Sequence, residues 1–154
     1  MALRLVDELS LRAVSTGEDE SPRSQIVRGG EPTGASVPGA VLEAVVACGD
    51  RYLLFTTDDI PYEDSLHIVL VDASLRTLDA ATLGSPYSTG RFAELELAPP
   101  DRVHFRFMGG TRWTVTLFPA AKARIAAFSD PKGVSRSKPL MRWFGVEGNP
   151  KPEL

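Results

Sequence analysis

Between Val41 and Phe118 short alternating apolar segments recur every ten to fifteen residues, and tight-turn residues separate nearly all of them. Alternation places successive side chains on opposite faces of a pleated strand. A series of such segments joined by turns therefore predicts an antiparallel sheet built from hairpins. Leu42, Ala44 and Val46 share one face, and Gly49-Asp50 suits a two-residue type II′ turn into Tyr52, Leu54 and Thr56. Leu66, Ile68 and Leu70 alternate with Val69 and Val71, so both faces of that segment are apolar and the strand is expected to be central. Asp72-Ala73-Ser74 turns into Leu75 to Leu83, and a loop bounded by Gly84 and Gly90 leads to Phe92 to Leu97. Pro99-Pro100-Asp101-Arg102 makes the next turn, because proline cannot donate to a ladder. Val103, Phe105 and Phe107 then face Trp113, Val115 and Leu117 across Gly109-Gly110, the clearest hairpin of the chain.

The flanks are less regular. Leu3, Leu5, Leu9 and Leu11 alternate as on a strand, although Leu3, Val6 and Leu9 also fit a helical stripe. Residues 15–39 are rich in Gly, Pro, Ser and charge with isolated apolar residues, and read as a flexible loop or arm. Ala120 to Phe128 suits a short helix or a further strand, 129–139 reads as loop, Leu140 to Val146 is a last apolar segment, and 148–154 reads as a flexible tail. The expected fold is all-β and mainly antiparallel: a meander-type β-sandwich or half-open barrel in one domain over 1–154, with at most one short helix near 120–128. A propeller is excluded, since no period of forty to fifty residues repeats and 154 residues are too few for a ring of blades.

A chain of 154 residues buries roughly 68–70% of its unfolded surface, enough for a self-sufficient core. The hydrophobic fraction of 43% and charged fraction of 24% are those of a globular domain. Cys48 is the only cysteine, which excludes an internal disulfide and any zinc site needing two thiolates. Charge interrupts the first eight residues before a signal-peptide core forms, and no segment approaches the roughly 20 apolar residues of a membrane span. The expectation is a cytoplasmic protein with no membrane contact.

The net charge of −3 conceals an asymmetry: seven basic and sixteen acidic residues over 1–100 against ten and four over 101–154. Such halves would give an acidic and a basic face unless their strands interleave in one sheet, and interleaving is the expected arrangement.

The densest polar constellation is Asp58-Asp59-Ile60-Pro61-Tyr62-Glu63-Asp64, which joins two expected strands. Oxygen ligands in a loop suit calcium or magnesium, but the spacing lacks the glycine and closing glutamate of an EF-hand, so no metal or other cofactor is assigned. A rigid proline, a tyrosine and four carboxylates instead suit a protein-binding tip, with Asp58, Asp59, Tyr62, Glu63 and Asp64 as the contact residues. His67 and His104 each lie opposite the aliphatic residues of their strands, and no catalytic serine motif accompanies them, so no catalytic residue is assigned. Cys48 lies beside a turn with Arg51 as its one cationic neighbour, too little to assign a reactive thiol. Lys132, Arg136, Lys138, Arg142 and Lys151 near Trp143 and Phe144 have the composition of a single-strand nucleic-acid site, but the pI near 5.4 argues against nucleic acid.

At the level of class, a small acidic all-β domain without catalytic motifs resembles the toxin-neutralising immunity factors and accessory binding subunits of bacteria. The resemblance implies a non-enzymatic protein-binding domain of immunity or inhibitor type, whose partner is another protein such as a basic toxin or effector. Two alternatives follow from the residues. One is a small-molecule-binding barrel with a cavity lined by Tyr52, Phe55, Phe105 and Trp113. The other is a hydrolase pairing His67 or His104 with a carboxylate of 58–64.

Overall fold

The computed structural model describes residues 2–14, 21–60, 64–84, 90–123, 130–136 and 141–149. These residues form three antiparallel sheets. The largest orders β1 (Leu3–Leu5), β5 (Val41–Cys48), β6 (Arg51–Thr57), β7 (Leu66–Val71), β8 (Thr77–Leu83) and β12 (Val134–Arg136). The second orders β13 (Met141–Glu147), β11 (Arg112–Ala123), β10 (Arg102–Arg106) and β9 (Ala93–Ala98). The third orders β2 (Leu9–Val14), β3 (Arg23–Arg28) and β4 (Glu31–Pro38). All three sheets are open, so the fold is a layered β-sandwich and not a closed barrel. Among the described residues, no helix is long and apolar enough to cross a membrane.

The six-stranded sheet is the middle layer because the alternation of β5 to β8 supplies two apolar faces. Leu53, Phe55, Leu66, Ile68 and Leu70 pack against Val103, Phe105, Trp113, Val115 and Phe144 of the four-stranded sheet. On the opposite face Val45, Leu54, Val69 and Val71 pack against Leu9, Ile26 and Val37 of the three-stranded sheet. Every residue of β7 is buried, as expected for a central strand. The β5–β6 turn is the expected one: Gly49 takes φ +63, Asp50 does not enter the positive-φ region, and Cys48 pairs with Arg51.

Three expectations are corrected. The segment 21–39 reads as loop, yet it contains β3 and β4. Gly34 and two prolines give β4 little strand propensity of its own. Its order comes from tertiary contacts instead: Ile26 and Val37 are fully buried on the middle sheet, and Gly29 and Gly30, both at positive φ, close the hairpin. Residues 15–20 lie outside the described residues. The helix option over 120–128 also fails where it is described, because 120–123 continue β11 and pair through Lys122 and Ala123 with Arg142 and Met141; 124–129 lie outside. A short edge strand, β12, also occupies part of the expected loop 129–139.

The charged halves interleave. Glu94 and Glu96 on β9 meet Arg106 and Arg112 on the same sheet, at 2.6 and 2.7 Å. These pairs are about half exposed, so they mix the charges of the two halves while adding little stability.

Cys48 is buried in the main core with Sγ 3.5 Å from the Val46 carbonyl. Burial pushes its thiol up to about 11, against a smaller opposing pull from Arg51. Its folded value thus lies above its unfolded one. The stability this group contributes is complete below about 9 and falls away as pH rises through about 11. We expect iodoacetamide at pH 8 to leave native Cys48 unmodified and to alkylate it fully in denaturant, as mass spectrometry would read; rapid native labelling would contradict its burial.

Candidate functional site

The loop between β6 and β7 is held at both feet by its own carboxylates. Asp58 is buried, and its Oδ1 lies 2.7 Å from Nε2 of His67. Asp64 Oδ1 accepts hydrogen bonds from the backbone N–H groups of Asp58 and Ser65, at 2.9 and 3.0 Å, which draws the two ends of the loop together. After Asp58, Asp59 sits at φ +57, a conformation that Asp tolerates better than most residues, and Ile60 is 42% exposed. Val41, the cross-strand partner of Thr57, is exposed at the same end of the β5–β6 hairpin. Of the five residues assigned to partner contact, Asp58 and Asp64 therefore serve the loop's own geometry and Asp59 faces solvent. Tyr62 and Glu63 lie outside the described residues.

His67 connects the loop to the sheet. Register places it directly opposite Thr82 on β8, and Nδ1 lies 2.9 Å from Thr82 Oγ1. The neutral ring with its proton on Nε2 satisfies both partners, donating to the Asp58 carboxylate and accepting from the Thr82 hydroxyl. A carboxylate, an imidazole and a hydroxyl thus stand in series, the order in which a base is oriented by one neighbour and activates another. His104 has a similar bond to Thr114, at 2.8 Å.

Beside His67 a cleft of about 480 Å³ opens where the three-stranded sheet ends above β7, β8 and β12. It is lined by His67, Val69, Ala80 and Thr82 of the middle sheet, with Ser135 paired beside Thr82, and by Arg23 and Ser36 of the three-stranded sheet. Sequence reasoning did not select this group. Its members are scattered from β3 to β12, and only the register of β7 with β8 and the packing of β3 and β4 bring them together.

Behind the cleft a buried ion cluster joins the edges of the two larger sheets. Arg136 donates from Nη1 to Asp79 at 3.0 Å and from Nη2 to Asp130 at 3.1 Å and to the Phe144 carbonyl at 2.9 Å. Arg142 reaches Asp130 at 3.2 Å. Asp79 is fully buried and also accepts from the N–H groups of Ala80 and Trp143. Two members of the expected basic cluster are therefore internal, and Phe144 fills the core. These groups do not form an exposed stacking surface for nucleic acid. Lys138 and Lys151 lie outside the described residues.

The aromatic cavity is also corrected. Phe55, Phe105 and Trp113 are fully buried, and Phe92 closes on Phe55 and Phe105 with ring centroids 5.2 and 5.7 Å away. Tyr52 belongs to the opposite face, where the Arg28 guanidinium lies 5.7 Å over its ring. The four rings do not line one chamber, because alternation along β6 sends Tyr52 and Phe55 to different faces. Among the described residues, no group of three or more His, Cys, Asp or Glu is placed to hold a metal ion. Comparison of the chain with protein-family models, curated proteins and solved structures gives no match.

Proposed function

We propose that the protein is a non-enzymatic binding domain that recognises another protein through the 58–64 loop and the adjoining end of the middle sheet, in the manner of an immunity or inhibitor protein. The observation that carries this reading is the division of labour within the loop. Asp58 and Asp64 hold its feet through four hydrogen bonds or short polar contacts, counting His67–Thr82, while Asp59 and Ile60 remain at the surface. Feet fixed before association lose less freedom on binding, so more of the contact energy becomes affinity. Exposed Ile60 and Val41 beside acidic Asp59 suit an apolar contact with a charged rim, and the negative charge selects a basic partner.

Affinity capture from native lysate at low and moderate salt tests this. One stoichiometric basic partner is expected at low salt, released progressively as salt screens the rim. Empty captures at both salts would contradict the reading.

One observation favours a second reading, a hydrolase: the series Asp58, His67 and Thr82 reaches the floor of a cleft. That reading requires hydrolysis of an activated ester above the buffer rate, abolished by Thr82→Val and by His67→Asn with the fold intact. Activity unaffected by either variant would exclude these residues.

A further inference from the structure

We infer that the cleft beside His67 is a binding site for a small organic acid, a carboxylate or phosphate head on a short apolar body. The inference is independent of the protein-binding reading, since neither Asp59 nor Ile60, the exposed loop residues among those described, lines the cleft. Its volume of about 480 Å³ lies within the roughly 300–1,000 Å³ of small-ligand sites.

The lining decides the chemistry. Among the described residues that line it, three are Arg or His and none is Asp or Glu. The acidic groups nearest in the hydrogen-bond network are already engaged: Asp58 with His67, and Asp79 and Asp130 with Arg136. Arg136 is internal to that cluster and acts as a fixed back wall. Among the described lining residues the accessible cation is Arg23, an exposed residue whose Nη2 donates to Ser36 Oγ at 3.1 Å, so one edge of its guanidinium is held while the fork retains further N–H donors. Ser36 and Ser135 add hydroxyl donors from two different sheets, which suits an oxyanion with several lone pairs. Half-buried Ala80 on the floor, with Pro38 beside it, presents apolar surface to the remainder of the ligand, backed by the core residue Val69. A cation on the rim, hydroxyls around it and an apolar floor are the elements that orient an amphipathic acid.

The test is a titration of the isotopically labelled full chain with butyrate, inorganic phosphate and uncharged butanol, followed by nuclear magnetic resonance at constant ionic strength. Saturable shifts at Ser36, Thr82 and Ser135 with butyrate or phosphate, and none with butanol, are expected; which anion binds more tightly identifies the head group. Arg23→Gln removes one charged hydrogen-bonding group and is expected to weaken binding about tenfold or more, with the melting temperature unchanged because Arg23 is exposed. Arg102→Gln, on the other outer sheet, is expected to leave affinity unchanged. Absence of saturation with both anions, an equal response to butanol, or full affinity in Arg23→Gln would each overturn the inference.

Discussion

Asp79→Ala is expected to lower the free energy of unfolding by about 3–5 kcal/mol, the usual cost of removing one partner from a buried ion pair. The residue is fully buried on β8, and its carboxylate accepts from Arg136 on β12 and from the Trp143 N–H on β13. Its loss leaves a buried guanidinium with less compensation and an amide without its acceptor, where the middle and four-stranded sheets meet. A buried pair contributes little relative to an apolar replacement of both members, so the large effect comes from breaking it and not from its presence. Against a typical total of roughly 5–15 kcal/mol, this loss would leave the protein marginal. Urea unfolding of the variant, with the slope unchanged, checks the figure; a loss below about 1 kcal/mol would mean that water compensates Arg136.

Phe105→Ala is expected to cost about 3–5 kcal/mol as well, by a different route. Its ring is fully buried and packs 5.3 Å from Phe55 and 5.7 Å from Phe92, centroid to centroid. Truncation removes apolar burial and leaves a cavity between two sheets whose strands are tied into ladders, so the walls have little freedom to collapse. Phe105→Leu retains most of the volume and is expected to lose much less. Equal losses for the two variants in thermal unfolding would show that ring geometry, and not filled volume, holds this core.

The middle sheet was legible because its sequence is locally consistent. In Leu66–Val71 both alternating sets are apolar, and a strand so composed has to be covered on both sides. What covers its second face was not legible. β3 and β4 offer only Ile26 and Val37 as fully buried apolar anchors, amid Gly, Pro and Ser, so their strand character arises from the surface they land on. The acidic loop stood out by composition, but the separation of Asp58 and Asp64 from Asp59 depends on where each carboxylate finds a donor. Asp58 meets His67, and His67 meets Thr82, only through the strand register. Arg136 and Arg142 read as part of one basic cluster near aromatic residues; Arg142 is instead paired with Asp130, and Arg136 with Asp79, 57 residues away, a separation that no local pattern reports.

In the proposed function the tip of the 58–64 loop recognises a partner while its feet serve the fold. Partner capture and thermal unfolding, measured side by side for the variant Asp59→Asn with Tyr62→Ala, test it most directly. Asparagine keeps the tolerance for positive φ at position 59 and removes only the charge. Capture is expected to fall at least about tenfold, equivalent to about 1.4 kcal/mol, while the melting temperature stays within about 2 °C of the unaltered chain. Undiminished capture, or loss of capture and stability together, would contradict it.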